Sequence, residues 1–137
     1  MVQKAIATFL LDESVTEQVH VMLNLCTSMG LEVVRSVERL AQGAEDRDVV
    51  NLGNSLGAIV VDANCKDFRK LISRRPPNNN FQQRSVGRVS LTCNPKLEAE
   101  RMREALPIIL WEWIRRQERT DKRVIIEVGD HSVCIYY

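Results

Sequence analysis

Apolar residues come in short blocks along this chain, and several of the blocks stop abruptly at acids. The first, residues 5–11, is interrupted by no charge and ends at Asp12 and Glu13. Such an unbroken block fits a central parallel strand buried on both faces. Val15, Val19, Leu23, Cys26 and Met29 then recur at helical spacing, and Gly30 stops the helix. Ser14 and Glu17, three apart, predict a capping box at its start. Residues 31–34 form a second apolar run, which closes a βαβ unit. Residues 35–45 are mixed, with Gly43 marking a loop or the end of a short helix. Asp46 precedes Val49, Leu52 and Leu56, one face of a second helix closed by Gly57. The third strand, residues 58–61, again ends in an acid, Asp62.

Residues 62–68 make a second polar cluster at a strand end, followed by a short helix through Leu71 and Ile72 and a loop at 76–80 rich in proline and asparagine. A further strand is predicted over 86–93. Asn94 and Pro95 then open a helix as cap and first residue, with Met102, Leu106, Ile109, Leu110 and Trp113 as its apolar stripe. Pro107 lies inside that stripe and predicts a kink or break over 103–106. Trp111 and Trp113 read as packing residues rather than as platforms for bases. Residues 123–128 and 132–136 around Gly129 and Asp130 read as a β-hairpin. The whole pattern predicts one α/β domain over residues 1–137, without repeats or linkers.

Composition adds limits. Apolar content of 45%, charged content of 27% and a net charge of +1 describe an ordinary soluble protein with no global field for a polyanion. Attraction for nucleic acid must therefore be local. One segment supplies it: Arg69, Lys70, Arg74, Arg75, Arg84 and Arg88 follow each other with no acid between Asp67 and Glu98. A solvated loop is the commoner meaning of such a run, but its place just after the acidic cluster suits phosphate binding by Arg74, Arg75, Arg84 and Arg88. No signal peptide or membrane-spanning run is expected. Cys26, Cys65, Cys93 and Cys134 are scattered through apolar segments and read as reduced residues of a cytoplasmic protein. Isolated from them, His20 and His131 do not suggest zinc.

In open parallel sheets the ligand crevice lies beyond the carboxyl ends of the strands, where Asp12 stands. With Ser14 assigned to the cap, Asp12 has no structural duty and becomes a functional candidate. Acids that converge at a sheet edge suit Mg²⁺ or Mn²⁺, which take carboxylate oxygens and water. A metal so held lowers the pKa of its water and neutralises charge on a phosphodiester. No histidine or serine is placed for a nucleophilic triad, so metal-assisted hydrolysis is the natural enzyme class.

Phe9-Leu10-Leu11-Asp12-Glu13, Gly30-Leu31-Glu32-Val33, Asp46-Arg47-Asp48-Val49-Val50 and the stretch from Val61-Asp62 through Asn64 to Asp67-Phe68 together resemble the PIN-like nuclease family, in its small single-domain bacterial branch. The likeness covers residues 5–72; the later helix and hairpin fit it loosely. The resemblance implies a three-layer PIN-like sandwich with a mainly parallel central sheet flanked by helices and a C-terminal β-hairpin. It also implies a metal-dependent ribonuclease, commonly the toxin of a toxin–antitoxin pair, with RNA as substrate and an antitoxin as partner. Asp12, Asp46 and Asp67 match its metal-binding catalytic acids, and Asn64 falls where some members have Asp and others Asn. Asp62 replaces the usual Thr, and an extra acid there either adds a metal ligand or upsets the charge balance of the site. Asp46 reads equally as a helix cap, as does Asp67, while Glu13 and Asp48 read as solvated groups or as supports for the ligands.

Two other readings stand beside this one. A phosphoacceptor receiver domain also has an acidic pair after its first strand and an acid after its third, matched by Asp12, Glu13 and Asp62; the cluster at 64–68 has no role there. The third reading is a PIN-like domain without turnover that acts through a protein partner. Apolar residues around Trp111 would support a homodimer.

Overall fold

The computed structural model describes residues 5–63, 87–117 and 124–136. Six strands form one sheet: β1 (Ala7–Leu11), β2 (Leu31–Arg35), β3 (Ile59–Asp62), β4 (Gly87–Leu91), β5 (Val124–Val128) and β6 (Val133–Tyr136), in the order β2-β1-β3-β4-β5-β6. All neighbours are parallel except β6, which returns antiparallel on β5 as the expected hairpin. The helices among the described residues are α1 (Glu17–Leu25), α2 (Ser36–Arg39), α3 (Asp46–Leu56) and α4 (Glu98–Arg116).

Strand periodicity sorts the core into two layers. Ala7, Phe9 and Leu11 of β1 face one way and pack with Val19 and Leu23 of α1 and with Met102, Ile109 and Trp113 of α4. Leu10 faces the other way and packs with Val60 of β3 and with Val49 and Val50 of α3. Helices thus cover both faces, which is why β1 and β3 are near-continuous apolar runs. This is a three-layer α/β arrangement with a mostly parallel sheet.

The elements differ from expectation at their ends. β1 starts at Ala7, and Ile6 N instead donates to Gly30 O at 2.7 Å. The first helical stripe is two pieces: α1 stops at Leu25, and a 3₁₀ turn over Thr27–Met29 runs into Gly30, which closes it in the left-handed conformation at φ 90°. The predicted capping box does not form. Thr16 is the cap residue of α1, and its own side chain makes no capping bond. Residues 36–39, which lacked a clear pattern, are the single turn α2.

Asn94 does cap, accepting from Lys96 N at 3.0 Å, but over a 3₁₀ turn at Pro95–Leu97 that leads into α4. Pro107 does not divide α4, which runs unbroken from Glu98 to Arg116. The predicted helix through Leu71 and Ile72 and the loop at 76–80 lie outside the described residues. Among those described, no helix is long and apolar enough to cross a membrane.

Candidate active site

The chain crosses from β1 outward to β2 and then returns past β1 to β3, so the carboxyl ends of β1 and β3 flank the topological switch point. Asp12 sits there. Its backbone N donates to Val61 O at 2.9 Å, which continues the β1–β3 ladder one step past the Leu11–Val61 pair. Asp12 therefore lies beside Asp62, with main chains about 4.8 Å apart.

Asp12 is only 7% exposed, and its carboxylate does have a structural duty. Oδ2 accepts from Ser14 N at 3.1 Å and from Ser14 Oγ at 2.5 Å, an Asx-type turn that folds the chain out of the strand. Ser14 Oγ also accepts from Ala63 N at 3.0 Å, which ties the ends of β1 and β3 together. Ser14 is thus engaged at the sheet edge, and this is why it does not cap α1. Buried Glu98 takes that role across the fold, its Oε1 accepting from Thr16 N at 3.0 Å.

Glu13 Oε2 accepts from Gly43 N at 3.3 Å. That bond ties the loop before α3 to the end of β1. Asp48 is exposed on the first turn of α3. A small cleft of about 70 Å³ opens beside Asp12 and Glu13, with Thr16, Glu17, His20 and Arg35 on its walls. Arg35 pairs with Glu17 at 3.0 Å there.

Asp62 and Arg88 form the other half of the edge. Arg88 Nε lies 3.2 Å from Asp62 Oδ2, and both side chains are 0% exposed. Ser90 Oγ donates to the same oxygen at 3.0 Å. Arg88 was expected on a phosphate-binding surface, and the structure corrects this. On β4 the side chains alternate, so Gly87 faces Trp113 of α4 while Arg88 points to the opposite face of a central strand, where Asp62 meets its charge. Asn64, Asp67, Arg74, Arg75 and Arg84 lie outside the described residues.

The fit of a hard cation differs between the two strand-end acids. Asp12 fits: Ser14 holds Oδ2, and Oδ1 accepts no hydrogen bond among the described residues. Asp62 fits poorly, because its charge is already met by the buried Arg88 guanidinium at 3.2 Å. Among the described residues no three acids, histidines or cysteines converge as a metal-binding group.

The strand order through β5 is also that of receiver domains. A receiver needs its phosphoacceptor open to a phosphodonor, whereas Asp62 is fully buried in an ion pair.

Compared with protein-family models, curated proteins and solved structures, the chain has no significant match. What fold and site define together is an α/β protein with carboxylates at the switch point of its sheet.

Proposed function

We propose that this chain is a metal-dependent ribonuclease of the PIN-like kind, hydrolysing phosphodiester bonds of RNA, and that it acts as the toxin of a toxin–antitoxin pair. One observation carries the reading: Asp12 is held at the switch point by Ser14 through one carboxylate oxygen, while the other accepts no hydrogen bond among the described residues. Asp12 would hold Mg²⁺ or Mn²⁺, with Asp46 and Asp67 as the further ligands that the family resemblance implies. Such an ion, when bound, supplies an activated water and neutralises charge on the phosphodiester. The protein's own part is positioning. Ser14 fixes the Asp12 carboxylate, and Glu13 ties down the loop before α3 through Gly43. Arg74, Arg75 and Arg84 would hold the RNA backbone; neutralising the three together should flatten the salt dependence of RNA binding.

The test is cleavage of RNA by the purified protein with Mn²⁺, beside Asp12→Asn and a chelator control. Loss of cleavage in both controls is expected. Absence of cleavage by the native protein, over structured and unstructured RNAs alike, would favour a PIN-like interaction protein that works through an antitoxin-like partner or a second copy of itself.

A further inference from the structure

Two acids end neighbouring parallel strands at this edge, and their charges are met in different ways. Carboxylates on neighbouring strands repel, and a cation placed beside them relieves the repulsion. Asp62 has its cation inside the protein. The Arg88 guanidinium lies 3.2 Å away, comes from the adjacent central strand and is as fully buried as the acid. Ser90, its register partner on β4, adds a hydrogen bond to the same oxygen. Asp12 is different: no cationic side chain pairs with it among the described residues, and Ser14 is its only side-chain partner there.

A buried arginine on a central strand cannot swing away to release its acid without exposing a desolvated carboxylate. Its charge is also permanent, because guanidinium does not deprotonate in proteins. We infer that Arg88 is a built-in counter-cation that withdraws Asp62 from the metal set, so that a divalent ion at this edge is held from the Asp12 side and Asp62 does not ligate it. Arg88 is then a positioning residue. It lets a second acid stand beside Asp12 without adding its charge to the ion site. The inference rests on the metal-dependent reading above and deepens it, turning the exchange of Thr for Asp at position 62 into one half of a compensated pair.

The experiment is Mn²⁺ binding to the purified chain, followed by the electron paramagnetic resonance signal of the free ion. Asp62→Asn should bind Mn²⁺ within about twofold of the native protein, while Asp12→Asn should weaken binding by about tenfold or more, the scale on which ligand charge tunes hard-cation sites. Arg88→Met removes the counter-charge from Asp62 beside Asp12 and should tighten binding by about tenfold or add a second ion. Combining Arg88→Met with Asp62→Asn should abolish that gain. A variant that merely loosened the fold would lose metal rather than gain it. Where Arg88→Met does not fold, Arg88→Gln, which keeps hydrogen-bonding capacity without charge, takes its place.

Equal loss in Asp62→Asn and Asp12→Asn would overturn the inference, as would an Arg88 variant that binds like the native chain. If the native chain binds no Mn²⁺, the metal-dependent reading fails on its own. The claim that the ion is held from the Asp12 side then falls with it. The Arg88 variant decides the remaining claim, since a newly gained Mn²⁺ site would show that Arg88 keeps Asp62 from metal and none would refute it.

Discussion

Glu98 accepts a hydrogen bond from the backbone N of Thr16 at 3.0 Å, although 82 residues separate the two. The first turn of α1 is therefore satisfied by the first residue of α4, and the two helices are locked side by side on one face of the sheet. Glu98 is 2% exposed, so removing its carboxylate leaves the half-buried backbone donor of Thr16 without its partner. Glu98→Ala should lower stability by about 1–3 kcal/mol, and Glu98→Gln, which retains an acceptor, by less. Urea unfolding of the three proteins measures this. Equal midpoints for all three would show that water serves Thr16 just as well.

This contact also shows what could be read along the chain and what could not. β1 and β3 were legible because burial on both faces leaves an uninterrupted apolar run. The terminal hairpin was legible from its strand pattern and the turn at Gly129. The cap of α1 was not: Ser14 and Glu17 have the right local spacing, but the Asp12–Glu13–Ser14 turn uses the same hydroxyl. The spacing of Asp12 and Ser14 was itself a signal for that turn. Arg88 was misplaced for a similar reason. In a basic run it looks solvated, and only strand parity together with Asp62, 26 residues earlier, turns it inward. Pro107 left α4 whole because it lies on the exposed side of the helix, as does Arg103, where an unbonded carbonyl can turn to water.

Gly87 carries a second packing prediction. A Cβ there would lie 2.6 Å from Trp113 Cζ3 and 3.1 Å from the backbone Cα of Ile59. The indole is seated against the bare backbone of β4, and Ile59 on the neighbouring strand cannot retreat. Gly87→Ala should cost about 1–3 kcal/mol through overpacking. Pairing it with Trp113→Leu should recover part of the loss, which denaturant midpoints would report. A stable Gly87→Ala protein with native Trp113 fluorescence would contradict this packing.

Glu112 gives the fold an acid-sensitive point. Burial alone would push its carboxyl up, but the hydrogen bonds and charges of Arg115 and Arg116 outweigh this and hold it below the usual carboxylate range. Arg115 Nη2 lies 3.0 Å and Arg116 Nε 3.3 Å from Glu112 Oε2. A carboxyl with a lowered folded-state pKa stabilises the protein above its unfolded value, about 4.3 for Glu, and the contribution fades as pH falls through the lower folded value. Glu112→Gln should be clearly less stable than the native chain near pH 7, with the gap closing below about pH 4. Urea midpoints taken from pH 7 down to pH 2 would show it. A gap independent of pH would mean that the carboxylate charge contributes nothing.

Cysteine reactivity tests the core on the other side of the sheet edge. Cys93 is buried against the α1 and α4 layer, whereas Cys134 is exposed on β6. Burial pushes the Cys93 thiol up from its ordinary value, and the negative charges of Glu98 and Asp130 push it further, against the opposing pull of a backbone hydrogen bond and of Arg101. The thiolate is the reactive form, so a buried thiol with a raised pKa is slow to alkylate. Iodoacetamide at pH 8, with sites resolved by peptide mass spectrometry, should modify Cys134 at least about tenfold faster than Cys93. The Cys93 rate should still be climbing above the ordinary thiol range near about 8.5. Glu98→Gln removes one of the two charges and should speed Cys93 while leaving Cys134 unchanged. Acceleration at both sites would mean that the substitution had loosened the fold rather than changed the charge beside Cys93.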